Sequence, residues 1–181
     1  MKLLSLILFH LAFVTCVAAQ KNFRITSDSA GGIKLGMRLS DARRALPKCR
    51  FKRGSDGEGA ALVDVTCRGK MMISLYADEE GADKPVDLNR PIRFIEVLDS
   101  RFRTIDGIHA NMLLRDAERI LGKVRKIMIT EIESREFVTF QKVRKGIEYR
   151  TYGGVYEPKR FTTKKYEPGS RIFSIELSKS P

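Results

Sequence analysis

The chain echoes itself. Gly32 to Lys48 reads GIKLGMRLSDARRALPK and Gly107 to Lys123 reads GIHANMLLRDAERILGK, so that Gly, Ile, Met, Leu, Asp, Ala, Arg, Leu and Lys recur in register. The offset is 107 − 32 = 75 residues, the size of one small structural unit. The echo continues downstream. Lys70 to Ala77 (KMMISLYA) aligns with Lys145 to Gly153 (KGIEYRTYG), and Ile92 to Val97 (IRFIEV) aligns with Ile172 to Leu177 (IFSIEL) at an offset of 80. Self-similarity at one period predicts two copies of a module rather than one continuous pattern. The drift in offset marks insertions, which surface loops tolerate at small entropic cost.

The first nineteen residues read as a targeting segment, with Lys2 as the positive start, an apolar run over Leu3 to Val17, and small residues at Val17-Ala18-Ala19 before a cut ahead of Gln20. The expected organisation is a signal peptide at 1–19, unit 1 at 20–100 and unit 2 at 101–181. No later stretch is long and apolar enough to form a spanning helix. Cleavage leaves 181 − 19 = 162 residues and removes Lys2, so the net charge goes from +12 to +11. A surface this basic favours anionic partners, either an acidic protein or an anionic envelope component. Nucleic acid is not expected, since the chain has no long Lys/Arg block and no nucleic-acid motif.

Two cysteines follow the cut, Cys49 and Cys67. In an exported chain an even pair reads as a disulfide. Between them lies Gly54-Ser55-Asp56-Gly57-Glu58-Gly59, a strong turn signal. A hairpin symmetric about residue 58 pairs 51 with 65 and 53 with 63, and sets the cysteines opposite each other, close enough to bridge. The closed loop is worth about 3 kcal/mol in the chain-entropy model.

Each unit reads as a short helix on an antiparallel sheet, an α+β architecture. Ser40 is placed to cap a helix reaching Leu46, and Pro47 ends it. Asp116 to Leu121 repeats that helix, stopped by Gly122 and started as early as Asn111. Elsewhere the apolar residues alternate with period two, which predicts half-buried strands. Met71, Ile73 and Leu75 are expected to point inward, as are Val138 and Phe140, Ile147 and Tyr149, and Phe173, Ile175 and Leu177. A short helix covers one side of a sheet, so the other side is expected to be wet. Met72, Ser74, Tyr76, Glu148, Arg150 and Tyr152 fall there.

The pattern Gly36-Met37-x-Leu39-x-x-Ala42, followed by Cys49 and by Cys67-Arg68-Gly69, resembles beta-lactamase inhibitory protein. That family is a tandem repeat of helices packed on four-stranded antiparallel sheets, whose concave face grips an enzyme. The single unit resembles the SmpA/OmlA envelope proteins of bacterial outer-membrane assembly. The resemblance implies a periplasmic or secreted protein with a sheet face as its working surface. The motif is structural, so it transfers no binding residue.

Catalytic signatures are sparse. The mature chain has one histidine, His109, which stands where the first unit has Lys34. There is no Gly-x-Ser-x-Gly elbow, phosphate loop or metal-spaced His/Cys cluster, and no cofactor or metal is expected. Glu131 and Glu133 would share a strand face about 7 Å apart and could do hydrolytic carboxylate chemistry; an ion-pair edge with Arg135 is the plainer reading. Asp41 and Asp116 recur because each suits a helix N-terminus. The favoured function is non-enzymatic binding of an acidic protein. Its candidate contacts are Tyr76, Arg150 and Tyr152 on the sheet and Arg160, Phe161 and Tyr166 on the loop before the last strand, because Tyr and Arg dominate interface energetics. The alternative is an envelope structural protein lying on anionic lipid or wall polymer.

Overall fold

The computed structural model describes residues 23–79 and 81–178; the targeting segment expected at 1–19 lies outside them. A two-stranded ribbon of β1 (Ser29–Ala30) and β2 (Ile33–Lys34) opens the fold. Next come helix α1 (Leu39–Ala45) and strands β3 (Cys49–Ser55), β4 (Ala61–Cys67), β5 (Lys70–Tyr76) and β6 (Phe94–Val97). Helix α2 (Leu114–Leu121) follows, with β7 (Val124–Ile129), β8 (Glu136–Phe140), β9 (Ile147–Thr151), β10 (Thr162–Thr163) and β11 (Ile172–Ser178). Strands β3 to β11 form one nine-stranded antiparallel sheet in the order β10-β7-β8-β9-β11-β6-β5-β4-β3. The result is a sheet-rich α+β fold.

The last strand of each half makes the seam. Strand β11 runs antiparallel to β6, with Ile175 opposite Val97, Glu176 opposite Glu96 and Leu177 opposite Ile95. These are the residues of the IFSIEL and IRFIEV segments. One continuous core lies under the seam, in which Ile73, Ile95, Val97, Ile175 and Leu177 pack with Leu39 and Ala42 of α1 and Leu114, Ala117 and Leu121 of α2.

The Gly-x4-Met motif docks in the same way in both halves. Gly36 N donates to Ile92 O and Ile92 N to Met37 O; Asn111 N donates to Ile172 O and Ile172 N to Met112 O. Gly36 and Asn111 both have positive φ, 84° and 69°. Asn is among the few side-chain-bearing residues that visit this region readily, so the Gly-to-Asn difference keeps the local backbone.

This docking also corrects the expected helix starts. The helices begin at Leu39 and Leu114 with no side-chain cap. Ser40 sits inside the first turn, and Asn111 precedes its helix. The amides of Leu39 and Ser40 instead donate to the carbonyls of Arg90 and Leu88, and that of Leu114 to Ser170 O. Backbone carbonyls from the segment entering the seam thus satisfy donors that a cap would otherwise serve.

The hairpin forms as the turn symmetry predicts. Phe51 stands opposite Val65, Arg53 opposite Val63, and Cys49 opposite Cys67. The cysteines form a disulfide with Cα atoms 4.3 Å apart. Two bulges break the expected alternation. On β5 Val65 pairs with Ile73 but Thr66 with Met71, leaving Met72 as the extra residue. Met72 therefore turns into the core at 4% exposure and Met71 out at 39%, the reverse of strict alternation. On β11 Ile172 pairs with Thr151 and Ser174 with Arg150, so Phe173 is the extra residue. It lies 39% exposed on the open face, not inward.

Candidate functional site: the open face of the sheet

The sheet face away from the helices carries one polar row across five strands. Asp64 stands opposite Ser74, and Ser74 opposite Glu96. Glu96 stands opposite Glu176, and Glu176 opposite Glu148. This row was expected to be wet, yet its middle is dry: Ser74 is 3% exposed, Glu176 4%, and Ser174, next to the row, 0%.

Twist explains the dryness. A twisted sheet is a saddle, which raises one pair of diagonal corners toward the same side. Here those corners are the β3–β4 turn and the β7–β8 turn. Strands β4 and β8 are five strand-spacings apart in the sheet order, about 24 Å if the sheet were flat. Arg135 nevertheless reaches Asp56 at 3.5 Å. The ion pair straps the open face, and beneath it lies a hollow of about 340 Å³, lined in part by Asp64, Ser74, Glu96, Arg150 and Phe173.

Arg150 organises the hollow. Its Nη1 donates to Glu96 Oε1 at 3.1 Å and its Nη2 to the Tyr152 hydroxyl at 3.2 Å. Its guanidinium lies 5.0 Å from the Phe173 ring centre and 5.8 Å from that of Tyr152, within cation–π range. The two rings meet edge to face at 4.9 Å. Ser174 Oγ donates to the same Glu96 oxygen at 2.7 Å, and Ser74 Oγ donates to Asp64 at 3.0 Å.

Glu176 is treated differently from its neighbours. Its Oε1 has no hydrogen-bond partner, and neither does Arg150 Nε. Burial, reinforced by the charge of Glu96 and opposed by Arg150 and Arg135, pushes the Glu176 carboxyl up to about 7.

On the far side of Phe173 a second hollow of about 530 Å³ is lined by residues including Lys70, Asn111, Tyr152 and Arg171. Tyr152 and Phe173 thus form an exposed aromatic ridge between an acid-lined and a base-bearing hollow. Beside the base-bearing one, Asp99 is fully buried. Burial alone would raise its pKa, but hydrogen bonds from the Arg101 side chain and backbone, with Lys70, outweigh that and hold the carboxyl at about 2.

The expected contact residues separate in space. Arg150 and Tyr152 meet on the open face. Tyr76 lies on the same face at the end of β5, opposite Phe94; its hydroxyl pKa is raised, first by its hydrogen bond to Asp78. Arg160 pairs with Glu157 at 3.2 Å on an exposed loop, and Phe161 is 50% exposed beside β7. Tyr166 packs against the core, with Glu118 of α2 beside its hydroxyl. The loop residues therefore do not join the sheet cluster. Glu131 and Glu133 lie in the β7–β8 turn, not on a strand, and Glu133 pairs with Arg135 at 2.6 Å. His109 Nδ1 lies 2.8 Å from Ala110 O.

Glu96, Glu176 and Phe173 escaped the reading of the sequence as site residues. The aligned IRFIEV and IFSIEL segments carried the signal for the two glutamates, since one acid sits at the same place in each. Nothing in the sequence marks the bulge that exposes Phe173.

Among the described residues no group of three or more His, Cys, Asp or Glu is arranged to hold a metal ion, and no helix is long and apolar enough to cross a membrane. No protein-family model and no curated protein matches the chain. Among solved structures, the crystal structure of the uncharacterized protein YfeY from Escherichia coli is similar, with a TM-score of 0.59 and 13% identity over 86% of this chain and 99% of that one. The chain shares its fold with that protein.

Proposed function

We propose that this protein is an exported, non-enzymatic binder built from two copies of one helix-and-sheet module, and that it engages an acidic protein partner through the open face of its sheet. The observation that carries the reading is the Arg150–Tyr152–Phe173 ridge between two hollows. Tyr152 is 48% exposed and Phe173 39%, and the two rings meet edge to face beside the Arg150 guanidinium. Exposed aromatics backed by a fixed guanidinium are the side chains on which protein interfaces concentrate their energy.

The other parts of the proposal rest on separate supports. The sequence echo and the identical docking of Gly36-Met37 and Asn111-Met112 support duplication. The Cys49–Cys67 disulfide fits an oxidising compartment, and the charge of +12 favours encounter with an acidic surface. The likeness to beta-lactamase inhibitory protein agrees with a sheet face as the working surface.

The test is affinity capture from envelope extract on the mature protein, eluted by a salt gradient and repeated with a Tyr152→Ala/Phe173→Ala variant. One acidic protein held in fixed ratio past about 0.3 M salt, where the Debye length is well under 10 Å, and lost from the variant, supports the reading. Equal retention by the variant removes the ridge from the interface. A mixture of lipid, polymer and proteins leaving at low salt replaces the reading with an envelope structural role.

A further inference from the structure

The nine-stranded sheet ends on β3 at one side and on the two-residue β10 at the other. Strand β3 is seven residues long and pairs with β4 without a bulge. Its register tells which backbone groups point away from the sheet. Antiparallel pairs alternate between hydrogen-bonded pairs and closer, non-hydrogen-bonded ones whose Cα atoms lie about 4.5 Å apart. The Cys49–Cys67 pair, at 4.3 Å, is of the closer kind. At the turn the Asp56 amide donates to Ala60 O, a hydrogen-bonded pair in the same register. Both observations give one parity. Arg50, Lys52 and Gly54 bond to β4, while Phe51 and Arg53 hold their N–H and C=O outward. Among the described residues no backbone group of another segment pairs with these outward groups.

Sheets guard such an edge by shortness, bulges, proline, a covering element or charge. Strand β3 uses charge, and charge of one sign. Lys48, Arg50, Lys52 and Arg53 are basic and no acid lies among them. Arg50 and Lys52 are exposed, on the same face as Asp64, which stands opposite Lys52. A second copy of the chain, paired antiparallel about Phe51, would set Arg50 opposite Lys52, and like charges directly opposed are destabilising. A strand bearing acids meets no such barrier.

We propose that β3 is a docking edge for an extended acidic segment of a protein partner, which adds to the sheet as a further antiparallel strand. Main-chain hydrogen bonds to Phe51 and Arg53 supply affinity, and acids at alternate positions of the segment face Arg50 and Lys52 to supply selectivity. This edge is separate from the Arg150–Tyr152–Phe173 ridge and goes beyond the open-face reading. Four strands, β4, β5, β6 and β11, lie between β3 and β9, which carries Arg150.

The experiment titrates the mature protein with a capped six-residue peptide of alternating glutamate and valine, read by amide resonances and amide hydrogen exchange. The expected result is saturable binding that slows exchange at the Phe51 and Arg53 amides and leaves those of Arg50 and Lys52, already bonded to β4, little changed. With the glutamates beside Arg50 and Lys52, the valines stand opposite Phe51 and Arg53, and their amides face β3. N-methylating the valine amides is expected to weaken binding about tenfold or more, whereas N-methylating the glutamate amides, which face solvent, changes it little. Arg50→Glu/Lys52→Glu alters two exposed side chains and is expected to cost about tenfold. No saturation, equal effects of the two methylation patterns, or unchanged binding by the charge variant overturns the proposal. None of these outcomes bears on the ridge, whose own variant leaves β3 intact, so the two readings fail separately.

Discussion

Glu96 and Glu176 stand directly opposite each other on the two strands that join the halves of the sheet, yet they live in different environments. Glu96 is held by the Arg150 guanidinium and the Ser174 hydroxyl, which share its Oε1. Glu176, one strand away, has an oxygen with no partner and a carboxyl pushed up to about 7. Two like charges this close cannot both ionise cheaply, and the donors have gone to one of them. The seam is therefore polarised although its two flanking sequences are alike.

That polarity sets a stability profile. The folded Glu176 carboxyl titrates near 7 and its ordinary value is 4.5, so the folded state holds the proton more tightly. Its contribution is fully present below about 4.5 and is lost as pH rises through about 7. The shift corresponds to about 3 kcal/mol at most. Glu176→Gln keeps the shape and removes the titration. Thermal melts are expected to show the variant as stable as wild type at pH 4.5 and higher melting at pH 8; parallel curves across this range would refute the assignment.

Asp99 predicts the opposite slope at lower pH. It is fully buried and held at about 2 by Arg101 and Lys70 against an ordinary value of 3.8. Its stabilisation is present above about 4 and is lost as pH falls through about 2, amounting to about 2 kcal/mol. Asp99→Asn leaves Arg101 and Lys70 without their charge partner, and is expected to lower stability by that order at pH 7 while converging on wild type near pH 2. Urea midpoints at pH 7 and pH 2.5 check it.

Much of this fold can be read in the sequence because it depends on spacing. The turn cluster at residues 54–59 fixes the Phe51–Val65 and Arg53–Val63 register and with it the cysteine pair. The aligned Ile-Glu segments become the seam. What could not be read depends on one extra residue or on long reach. The bulges that turn Met72 inward and Phe173 outward shift the period by one residue, and apolar residues on both sides of the shift hide it. The strap between Asp56 and Arg135 joins positions 79 residues apart; it arises from accumulated twist over the whole sheet, which no local pattern encodes. Of the site, polar alternation marked Ser74, Tyr76, Glu148, Arg150 and Tyr152 as open-face residues, while Glu96, Glu176 and Phe173 were missed.

The hairpin disulfide should act mainly on the unfolded chain. It joins directly opposed residues at a sequence separation of 18, so closing it costs the native strands little and restricts the unfolded state by about 3 kcal/mol. A Cys49→Ala/Cys67→Ala variant is expected to keep its circular dichroism spectrum and lose about that much in denaturant midpoint. Collapse of the sheet signal instead would show that the cross-link is required to form the edge strands.

Arg53 pins the long connection between β5 and β6. Its guanidinium bonds both Glu79 oxygens at 2.6 and 2.7 Å, and also the carbonyls of Lys84 at 2.9 Å and Pro85 at 2.8 Å. The Glu79 side chain is 4% exposed. Burial alone would raise its pKa, but the hydrogen bonds from Arg53 and the Asp87 amide win and lower it. Removing the cation leaves that buried carboxylate uncompensated, the situation in which breaking an ion pair costs about 3 kcal/mol or more. Arg53→Ala is expected to lose stability on that scale and to open residues 81–91 to a broad-specificity protease such as proteinase K, with the first cuts inside that segment, whose two basic residues, Lys84 and Arg90, each precede a proline and so resist trypsin. Arg53→Lys keeps the charge but not the fork and should recover only part of the loss. Cleavage that starts elsewhere, or full recovery by lysine, would show that the four-way grip of the guanidinium is not what orders this loop.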